Sequence, residues 1–319
     1  MADPAPLSPD PRVHVDLPRL LGLGGQARAL SLLPRQPARS VLNGRHASKI
    51  RGRGLNFEEL RDYQTGDDIR SIDWKVTART GTPHVRVYTE ERDRPTLLVV
   101  DQRMSMFFGS QVYMKSVIAA EAAAIAAHRL LAQGDRVGGL VFGDDMIAEH
   151  RPVRSPAALH RLLASIAAAN ERLHAEAEAE AEAPESSSLN RVLQSTARIA
   201  KTNYLVLVFS DFDTADADTE RLIRTLAAAN DLLLFSVSDP LSRGLPDRFR
   251  LTASDGRLQA EVDTGRDATA RARIDAAMQD RTKAVEAWAR KYGAPFLDLS
   301  TDAPALDQLL RLFGHPGGR

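Results

Sequence analysis

The stretch Asp101-Gln102-Arg103-Met104-Ser105-Met106 decides the fold that we predict for this chain. It follows the apolar run Thr96-Leu97-Leu98-Val99-Val100 and precedes a segment with helical spacing. A short continuous apolar run predicts a strand that is buried on both faces, as in a parallel sheet. Asp101 would end that strand at the carboxyl edge of the sheet, which is where open α/β folds bind their ligands.

Strand and helix patterns alternate regularly from Pro95 onward. We predict strands at residues 97–101, 136–142, 146–150, 204–210, 231–237 and 295–299, the third of them antiparallel at one edge. We predict helices at residues 112–133, 156–169, 189–200, 218–229, 268–292 and 303–313, and a hairpin around Ser254-Asp255-Gly256. Strands separated by helices of this length indicate an α/β fold with a mostly parallel sheet and helices on both faces.

Two residues of the opening stretch, Asp101 and Ser105, resemble the first metal-binding loop of the von Willebrand factor A domain, which reads Asp-x-Ser-x-Ser. The resemblance implies a Rossmann-type sheet with a metal-ion-dependent adhesion site built from three loops. By the same resemblance, Ser187 in the run Ser186-Ser187-Ser188-Leu189 corresponds to the Thr of the second loop, and Asp211 to the Asp of the third. Hydroxyl and carboxylate oxygens suit a hard cation such as Mg²⁺.

Arg103 departs from that pattern, because it stands where the first Ser belongs. A guanidinium cannot coordinate a cation and would repel one. It is expected instead to bridge Asp101 and Asp211 with bidentate hydrogen bonds, in place of the charge of the metal. We therefore predict a degenerate site closed by an internal salt bridge and no cofactor. An intact Mg²⁺ site, which Arg103 disfavours, and an Arg103 that points away are the alternatives.

A second pattern lies upstream of the sheet, between Gly44 and Tyr88. It comprises Gly52-x-Gly54, then Phe57-Glu58-Glu59-Leu60-Arg61-Asp62-Tyr63, then Gly66-Asp67-Asp68-Ile69-Arg70-Ser71-Ile72-Asp73-Trp74-Lys75, and finally Ala78-Arg79. This series resembles the signature of the domain-of-unknown-function 58 family, which precedes a von Willebrand A-like domain. The resemblance extends from about Leu42 onward, and the lack of preceding membrane helices is similar to a soluble branch of that family.

The signature residues that we single out are Arg61, Tyr63, Gly66, Asp67, Asp68, Arg70, Asp73, Trp74, Lys75 and Arg79. Their charges are spaced closely enough to satisfy one another, while Phe57, Tyr63 and Trp74 would supply an apolar anchor. The first interpretation is therefore a structural network, and the second is a surface that docks a partner or a ligand. A catalytic carboxylate pair is the least favoured, because no histidine or metal motif accompanies it. We also predict a helical turn or two at residues 55–63 and a strand at residues 84–90.

Composition limits the classes of function. Lys+Arg and Asp+Glu both number 42 in 319 residues, so no net charge draws the chain to nucleic acid or to an anionic membrane. A basic run between Leu17 and Phe57 contains no acid, which predicts a solvated face first and an anion-binding surface second. The chain has no cysteine, which excludes disulfides and thiolate chemistry and is consistent with a reducing cytoplasm.

Composition and pattern also divide the chain. We expect a disordered proline-rich N-terminus at residues 1–16, an N-terminal segment with the signature at 17–94, a von Willebrand A-like domain at 95–314, an acidic flexible loop at 171–186 and a tail at 315–319. The second part should begin with a short or broken helix at residues 17–33, because three glycines interrupt its helical spacing. Neither a secretory signal nor an apolar run of roughly 20 residues is present, so we expect a cytoplasmic protein without a membrane span.

The resemblance to the domain-of-unknown-function 58 family implies a non-enzymatic adaptor. Such a chain would associate with MoxR-type AAA+ ATPases and other von Willebrand A-like proteins in the assembly or maturation of protein complexes. The sequence has neither a Gly-x-x-x-x-Gly-Lys loop nor a Gly-x-Ser-x-Gly motif, which argues against ATP hydrolysis and an α/β-hydrolase. One alternative is a divalent-metal-dependent enzyme that uses Asp67, Asp68 and Asp73. Another is an anion or nucleic-acid binder that uses the run from Arg35 to Arg53, although nucleic acid is disfavoured because no aromatic residues interleave with those arginines.

Overall fold

The computed structural model describes residues 10–30, 55–63, 72–90, 94–144, 147–174, 188–244, 250–254, 259–263 and 268–313. The chain divides into two compact units. The smaller unit contains residues 33–93, and the larger contains residues 1–32 together with residues 94–319.

Eight helices and ten strands form the described parts of the chain. The helices are α1 (Leu17–Gly22), α2 (Trp74–Thr80), α3 (Lys115–Ala132), α4 (Pro156–Glu171), α5 (Ser188–Ile199), α6 (Ala217–Ala229), α7 (Ala268–Tyr292) and α8 (Ala305–Phe313). The strands are β1 (Leu55–Asp62), β2 (His84–Glu90), β3 (Pro95–Asp101), β4 (Arg136–Phe142), β5 (Ile147–Val153), β6 (Leu205–Ser210), β7 (Asp231–Ser238), β8 (Arg250–Ser254), β9 (Gln259–Asp263) and β10 (Phe296–Ser300). Short 3₁₀ helices span Gln26–Ala29, Met104–Met106 and Pro240–Arg243.

A six-stranded sheet forms the centre of the larger unit, with the strand order β10-β7-β6-β3-β4-β5. All neighbouring strands are parallel except β5, which runs antiparallel to β4 at one edge. The predicted α/β class, the mostly parallel sheet and the antiparallel edge strand are therefore confirmed. The hairpin predicted around residues 254–256 is also present, because β8 pairs antiparallel with β9.

Two apolar clusters cover the two faces of this sheet. Alternate residues of β3 enter different clusters: Leu98 and Val100 face one side, and Leu97 and Val99 face the other. The first cluster includes the Ala-rich helix α3, most of whose residues are completely buried. Small alanine side chains allow that helix to lie close to the strands. This packing fixes the position of β3, so that its last residue, Asp101, has a defined place at the carboxyl edge.

The N-terminal segment differs from its prediction. We expected disorder through residue 16 and a separate segment from residue 17, but residues 10–30 belong to the larger unit. Val15, Leu20, Ala27 and Leu30 are buried in the same cluster as α3, because these apolar positions fit between the sheet-covering helices. The predicted broken helix is confirmed as α1 and the following 3₁₀ helix.

The smaller unit contains an antiparallel pair, β1 and β2, and the short helix α2. The strand predicted at residues 84–90 is confirmed as β2. The helical turns predicted at residues 55–63 are wrong, because residues 55–62 form β1. Strand β2 supplies backbone hydrogen-bond partners along the length of β1, and such long-range pairing outweighs local helical preference.

Several predicted features lie outside the described residues. They include most of the acidic loop (residues 175–186), the basic run Arg35 to Arg53, and the C-terminal tail. Within the described ranges, no helix combines the length and the apolar character that crossing a membrane requires.

Candidate functional site

The predicted site lies where β3 and β6 end side by side in the sheet. From β3 the chain crosses to β4 on one side, and it returns later to place β6 on the other side. Such a reversal of strand order leaves a crevice at the carboxyl ends of the two strands, where open α/β sheets bind ligands. Asp101 ends β3, and Asp211 directly follows β6, so the fold brings the two predicted carboxylates to this crevice.

Asp101 is completely buried and is held by three groups of donors. Its Oδ1 atom accepts hydrogen bonds from the backbone N–H and Nε of Arg103, both at 3.0 Å. Its Oδ2 atom accepts from Nη2 of Arg103 and from Oγ of Ser210, both at 2.6 Å. Both carboxylate oxygens are therefore occupied by protein donors.

Arg103 is 3% exposed and fills the centre of the site. Besides Asp101, its Nη2 donates to Oδ1 of Asp211 at 3.3 Å. Its Nη1 donates to the backbone oxygen of Asp213 at 3.1 Å and to Oγ1 of Thr214 at 3.2 Å. Each of its three nitrogens thus has an acceptor, and the guanidinium also lies 5.4 Å from the centre of the Phe142 ring. The bridge predicted between Asp101 and Asp211 is present.

Lys115 is a second cation in the site, and sequence reasoning missed it. It is the first residue of α3, and its Nζ donates to Oδ2 of Asp211 at 2.7 Å. The backbone N–H of Asp213 donates to the other oxygen of Asp211 at 2.9 Å. The site therefore pairs two carboxylates with two cations, so that the charges balance inside the protein. The only signal in the sequence was a lysine at the predicted start of the helix after the loop.

Burial and charge act against each other on the pKa values of these groups. Burial raises the pKa of Asp101, although the charge of Arg103 opposes it. Burial acts in the same way on Asp211, but the charges of Lys115 and Arg103 outweigh it and lower its pKa to about 2. Burial acts to lower the pKa of Arg103, and the charge of Asp101 outweighs it and raises that pKa. Asp211 and Arg103 are therefore both charged at neutral pH.

The two predicted serine ligands are in different situations. Ser105 lies in the 3₁₀ helix that follows Arg103, and its hydroxyl is buried without a hydrogen-bond partner among the described residues. Ser187 lies outside the described residues. The structure therefore brings Asp101, Arg103 and Asp211 into contact and places Ser105 in the same loop.

These side chains, as arranged, do not fit a divalent cation. A metal ion beside Asp101 would displace Arg103 or Ser210 and would face the positive charges of Arg103 and Lys115. In the ranges that the structure describes, no group of three or more acidic or histidine side chains is placed to hold a metal. The unpaired hydroxyl of Ser105 is a single ligand and does not offset the two cations.

The loop between β6 and α6, which carries Asp211, adopts an uncommon backbone. Phe212 and Thr214 have φ angles of 53° and 65°, in the left-handed region that side chains other than glycine rarely occupy. Arg103 donates to two groups of this loop, the backbone oxygen of Asp213 and Oγ1 of Thr214. These hydrogen bonds from Arg103 therefore help to hold a loop conformation that is energetically unfavourable on its own.

A further buried carboxylate, Asp239, anchors the loop between β3 and α3, and sequence reasoning did not identify it. It accepts from the backbone N–H and the hydroxyl of Ser110 at 2.8 and 2.6 Å, and from the hydroxyl of Thr301 at 2.6 Å. Gly109 is required beside it, because a Cβ there would lie 2.1 Å from the backbone oxygen of Tyr113. This loop is therefore tied to the ends of β7 and β10.

The upstream signature is described only in part. Gly66, Asp67, Asp68 and Arg70 lie outside the described residues, and of Arg61 only the backbone, in β1, is described. Asp73 is buried and caps α2, since its carboxylate accepts from the N–H groups of Lys75 and Val76.

Trp74 does not fill its predicted role in an apolar anchor, and the side chain of Phe57, another predicted member, lies outside the described residues. Trp74 is 65% exposed, which is too much for a residue that holds a core together. Lys75 and Arg79 are exposed on the same helix, while Tyr63 is half-buried. The Trp74 side chain therefore belongs to the surface of the smaller unit.

Comparison with known proteins finds relatives that align with almost the whole chain. The uncharacterised proteins Rv1480 of Mycobacterium tuberculosis and Mb1516 of Mycobacterium bovis are each 30% identical over 300 residues, which cover 94% of this chain and 90% of the relative. Among solved structures, the conserved hypothetical protein BatB from Bacteroides thetaiotaomicron has 12% identity and a TM-score of 0.42, covering 65% of this chain and 90% of that one. An aerotolerance-related membrane protein from Bacteroides fragilis has 11% identity and a TM-score of 0.39, covering 68% and 97%.

The family comparison agrees with the signature in the sequence. The family model described as protein of unknown function DUF58 matches residues 59–284, which include β3, β6 and the whole sheet-edge site. The chain therefore belongs to the DUF58 family of proteins of unknown function.

Proposed function

We propose that this chain is a non-enzymatic protein-interaction module with a von Willebrand factor A-like fold, whose sheet-edge site works without a bound metal. The observation that supports this proposal best is the arrangement of Arg103 between Asp101 and Asp211. In this arrangement the carboxylates of the crevice are already neutralised, so they are not available to a substrate or to a catalytic cation.

The partner would bind to a surface next to this site. The loop from residue 107 to 114 is held at its base by Asp239, and it presents Val112 at 40% exposure. A rigid loop with an exposed aliphatic side chain can bind with little loss of conformational freedom. By family resemblance, we further propose that the partner is a MoxR-type AAA+ ATPase, with this chain as its adaptor.

The test is co-purification of the full chain with a MoxR-type ATPase in nucleotide-free, ADP-bound and ATP-analogue-bound states. Val112→Glu places a charge on the proposed surface and should weaken the association by about tenfold or more, in line with the loss of one interface anchor. Val153→Glu is the matched control, because Val153 is 46% exposed and pairs with Val137 near the opposite edge of the sheet. It should leave the association unchanged.

Two results would count against the proposal. A lack of association in every nucleotide state would remove the ATPase as partner. An equal loss with Val112→Glu and Val153→Glu would show that the loop beside the site is not the docking surface.

A further inference from the structure

A cavity of about 420 Å³ lies at the far end of α3 from the sheet-edge site. Its walls come from the last turns of α3, from the 3₁₀ helix Gln26–Ala29 and from Pro156, the first residue of α4. Helix α3 begins beside Asp211 and spans 18 residues, or about 27 Å of helix. The cavity is therefore separate from the site already described.

The charged side chains that line this cavity are two arginines, Arg28 and Arg129, and no acidic residue lines it. His128 also lines the cavity, but burial lowers the pKa of its imidazole, so it does not add a positive charge at neutral pH. Among the residues that the structure describes, neither Arg28 nor Arg129 has a hydrogen-bond or ion-pair partner, and the Nε atom of Arg129 is buried. A buried donor without an acceptor costs about 1–3 kcal/mol, so an acceptor in the cavity would be stabilising.

Two neighbouring features add to the positive potential. The guanidinium carbon of Arg154 lies 3.4 Å from the place that a Cβ of Gly134 would take, just beyond the end of α3. Arg154 directly precedes Ser155, the N-cap of the 16-residue helix α4. The positive end of the α4 dipole is therefore on the same side as Pro156, which lines the cavity.

The wall that contains His128 is fixed by the N-terminal segment. Nε2 of His128 lies 3.1 Å from the backbone oxygen of Leu20, within hydrogen-bond distance. Gly24 packs against the other side of the ring, where a Cβ would lie 2.9 Å from Nδ1. A side chain at position 24 would therefore push the ring away, so the shape of the cavity depends on this glycine.

We propose that this cavity binds a phosphate-bearing small molecule, with Arg129 and Arg28 donating hydrogen bonds to the phosphate oxygens. Arginine suits this role because its planar guanidinium can donate two parallel hydrogen bonds to one phosphate. The side chains of Leu131 and Ala132 offer an apolar wall to the rest of the ligand. The volume also falls within the roughly 300–1,000 Å³ that is typical of small-molecule sites.

The test is a calorimetric titration of the full chain with sodium pyrophosphate, with ionic strength held constant by sodium chloride. We expect saturable binding to the wild type and a loss of affinity of about tenfold or more in Arg129→Gln, as for the removal of charge-assisted hydrogen bonds. Arg28→Gln should act in the same direction, and because Arg28 is exposed, it decides the question if Arg129→Gln does not fold. The matched control is Arg224→Gln, an exposed arginine of α6 on the other face of the sheet.

The proposal is overturned if pyrophosphate gives no saturable heat, or if Arg224→Gln reduces affinity as much as Arg129→Gln does, since diffuse surface charge would then explain the binding. A second arm repeats the titration with ADP. Tighter binding of ADP than of pyrophosphate would indicate that a nucleoside packs against the apolar wall formed by Leu131 and Ala132. Equal or weaker binding of ADP would indicate that the cavity binds the phosphate groups alone. Neither arm uses the association with an ATPase, so the outcome is independent of the proposed function.

Discussion

Nη2 of Arg103 lies 2.6 Å from Oδ2 of Asp101, and neither side chain is more than 3% exposed. A buried ion pair of this kind adds little net stability compared with apolar residues of the same size, because both charges lose their hydration. Once the pair is built into the fold, however, removal of one partner leaves a buried charge without compensation. A single substitution of either Asp101 or Arg103 should therefore destabilise the sheet edge.

Replacement of Arg103 by a side chain of similar length tests this dependence. Arg103→Met should lower the free energy of unfolding by about 3–5 kcal/mol, because Asp101 loses its cation and must either remain an uncompensated buried charge or take up a proton. Urea denaturation measures the change. The double variant Arg103→Met/Asp101→Asn should recover part of the loss, because it removes the stranded charge as well.

A surface arginine provides the control for that experiment. Arg281 pairs with Asp213 at the rim of the site, and its side chain is 41% exposed. Arg281→Met should cost less than about 1 kcal/mol, since exposed ion pairs contribute little. Equal losses from Arg103→Met and Arg281→Met would show that burial of the Arg103 pair has no special role.

Tight metal binding should require the removal of both cations. In Arg103→Ser, the Asp-x-Ser-x-Ser pattern is restored, but Lys115 still donates to Asp211 at 2.7 Å. We therefore expect weak Mn²⁺ binding in Arg103→Ser, and binding at least about tenfold tighter in Arg103→Ser/Lys115→Ala, because one fewer positive charge faces the ion. Calorimetric titration with Mn²⁺ measures both. Micromolar binding by the wild type that Asp101→Ala abolishes would contradict the metal-free reading of the site.

The contacts that could be predicted from the sequence are those set by the ends of strands. Asp101 and Asp211 each terminate an apolar run, so a parallel sheet places them at one edge whatever the details of the packing. Arg103 is two residues from Asp101, and its planar guanidinium has few other ways to satisfy its donors near two carboxylates. Local position and side-chain chemistry, together with the resemblance to a three-loop metal site, were sufficient to predict this triad.

The contacts that could not be predicted depend on the packing of distant segments. Lys115 reaches Asp211 only because α3 begins close to β6, and Asp239 anchors Ser110 because β7 ends beneath that loop. The prolines of the N-terminal segment predict disorder through residue 16, yet Val15 is buried and its N–H donates to Asn170 of α4. None of these distances is encoded in the spacing of residues within a single element.

The acid stability of the protein should depend on Asp211. Its folded pKa is about 2 and its ordinary value is 3.8, so the folded state favours the ionised form. The associated stabilisation, about 2 kcal/mol, is complete above pH values near 4 to 5 and is lost as the pH falls through about 2. The stability difference between the wild type and Asp211→Asn should therefore be largest near neutral pH and should shrink between pH 5 and pH 2, as measured by urea denaturation at each pH.

An exposed aspartate separates this effect from a general loss of negative charge. Asp218 is 62% exposed and pairs with Arg221 on α6. Asp218→Asn should change the stability by no more than about 0.5 kcal/mol across the same range. A difference for Asp211→Asn that stays constant from pH 7 to pH 2 would show that its carboxylate is not selectively stabilised in the folded state.

Asn170 connects the N-terminal segment to the loop that carries the site. Its Oδ1 accepts from the backbone N–H of Val15 at 2.8 Å, and its Nδ2 donates to Oε1 of Gln102 at 2.9 Å. Gln102 follows Asp101 directly, and on the other side of the loop the N–H of Met114 donates to the backbone oxygen of Arg12 at 2.9 Å. Residues 12–15 therefore hold both ends of the segment that runs from Asp101 to α3.

Asn170→Ala should lower the free energy of unfolding by about 2–4 kcal/mol, because it leaves one buried donor and one buried acceptor without partners. The exchange of the Met114 amide hydrogen should also become faster than in the wild type, since the N-terminal segment would open more often and release that N–H. Arg12→Ala removes only an exposed ion pair with Asp10 and should leave both quantities nearly unchanged, with a cost below about 1 kcal/mol. If Asn170→Ala is destabilised while exchange at Met114 stays at the wild-type rate, the segment stabilises the fold without acting on the site loop.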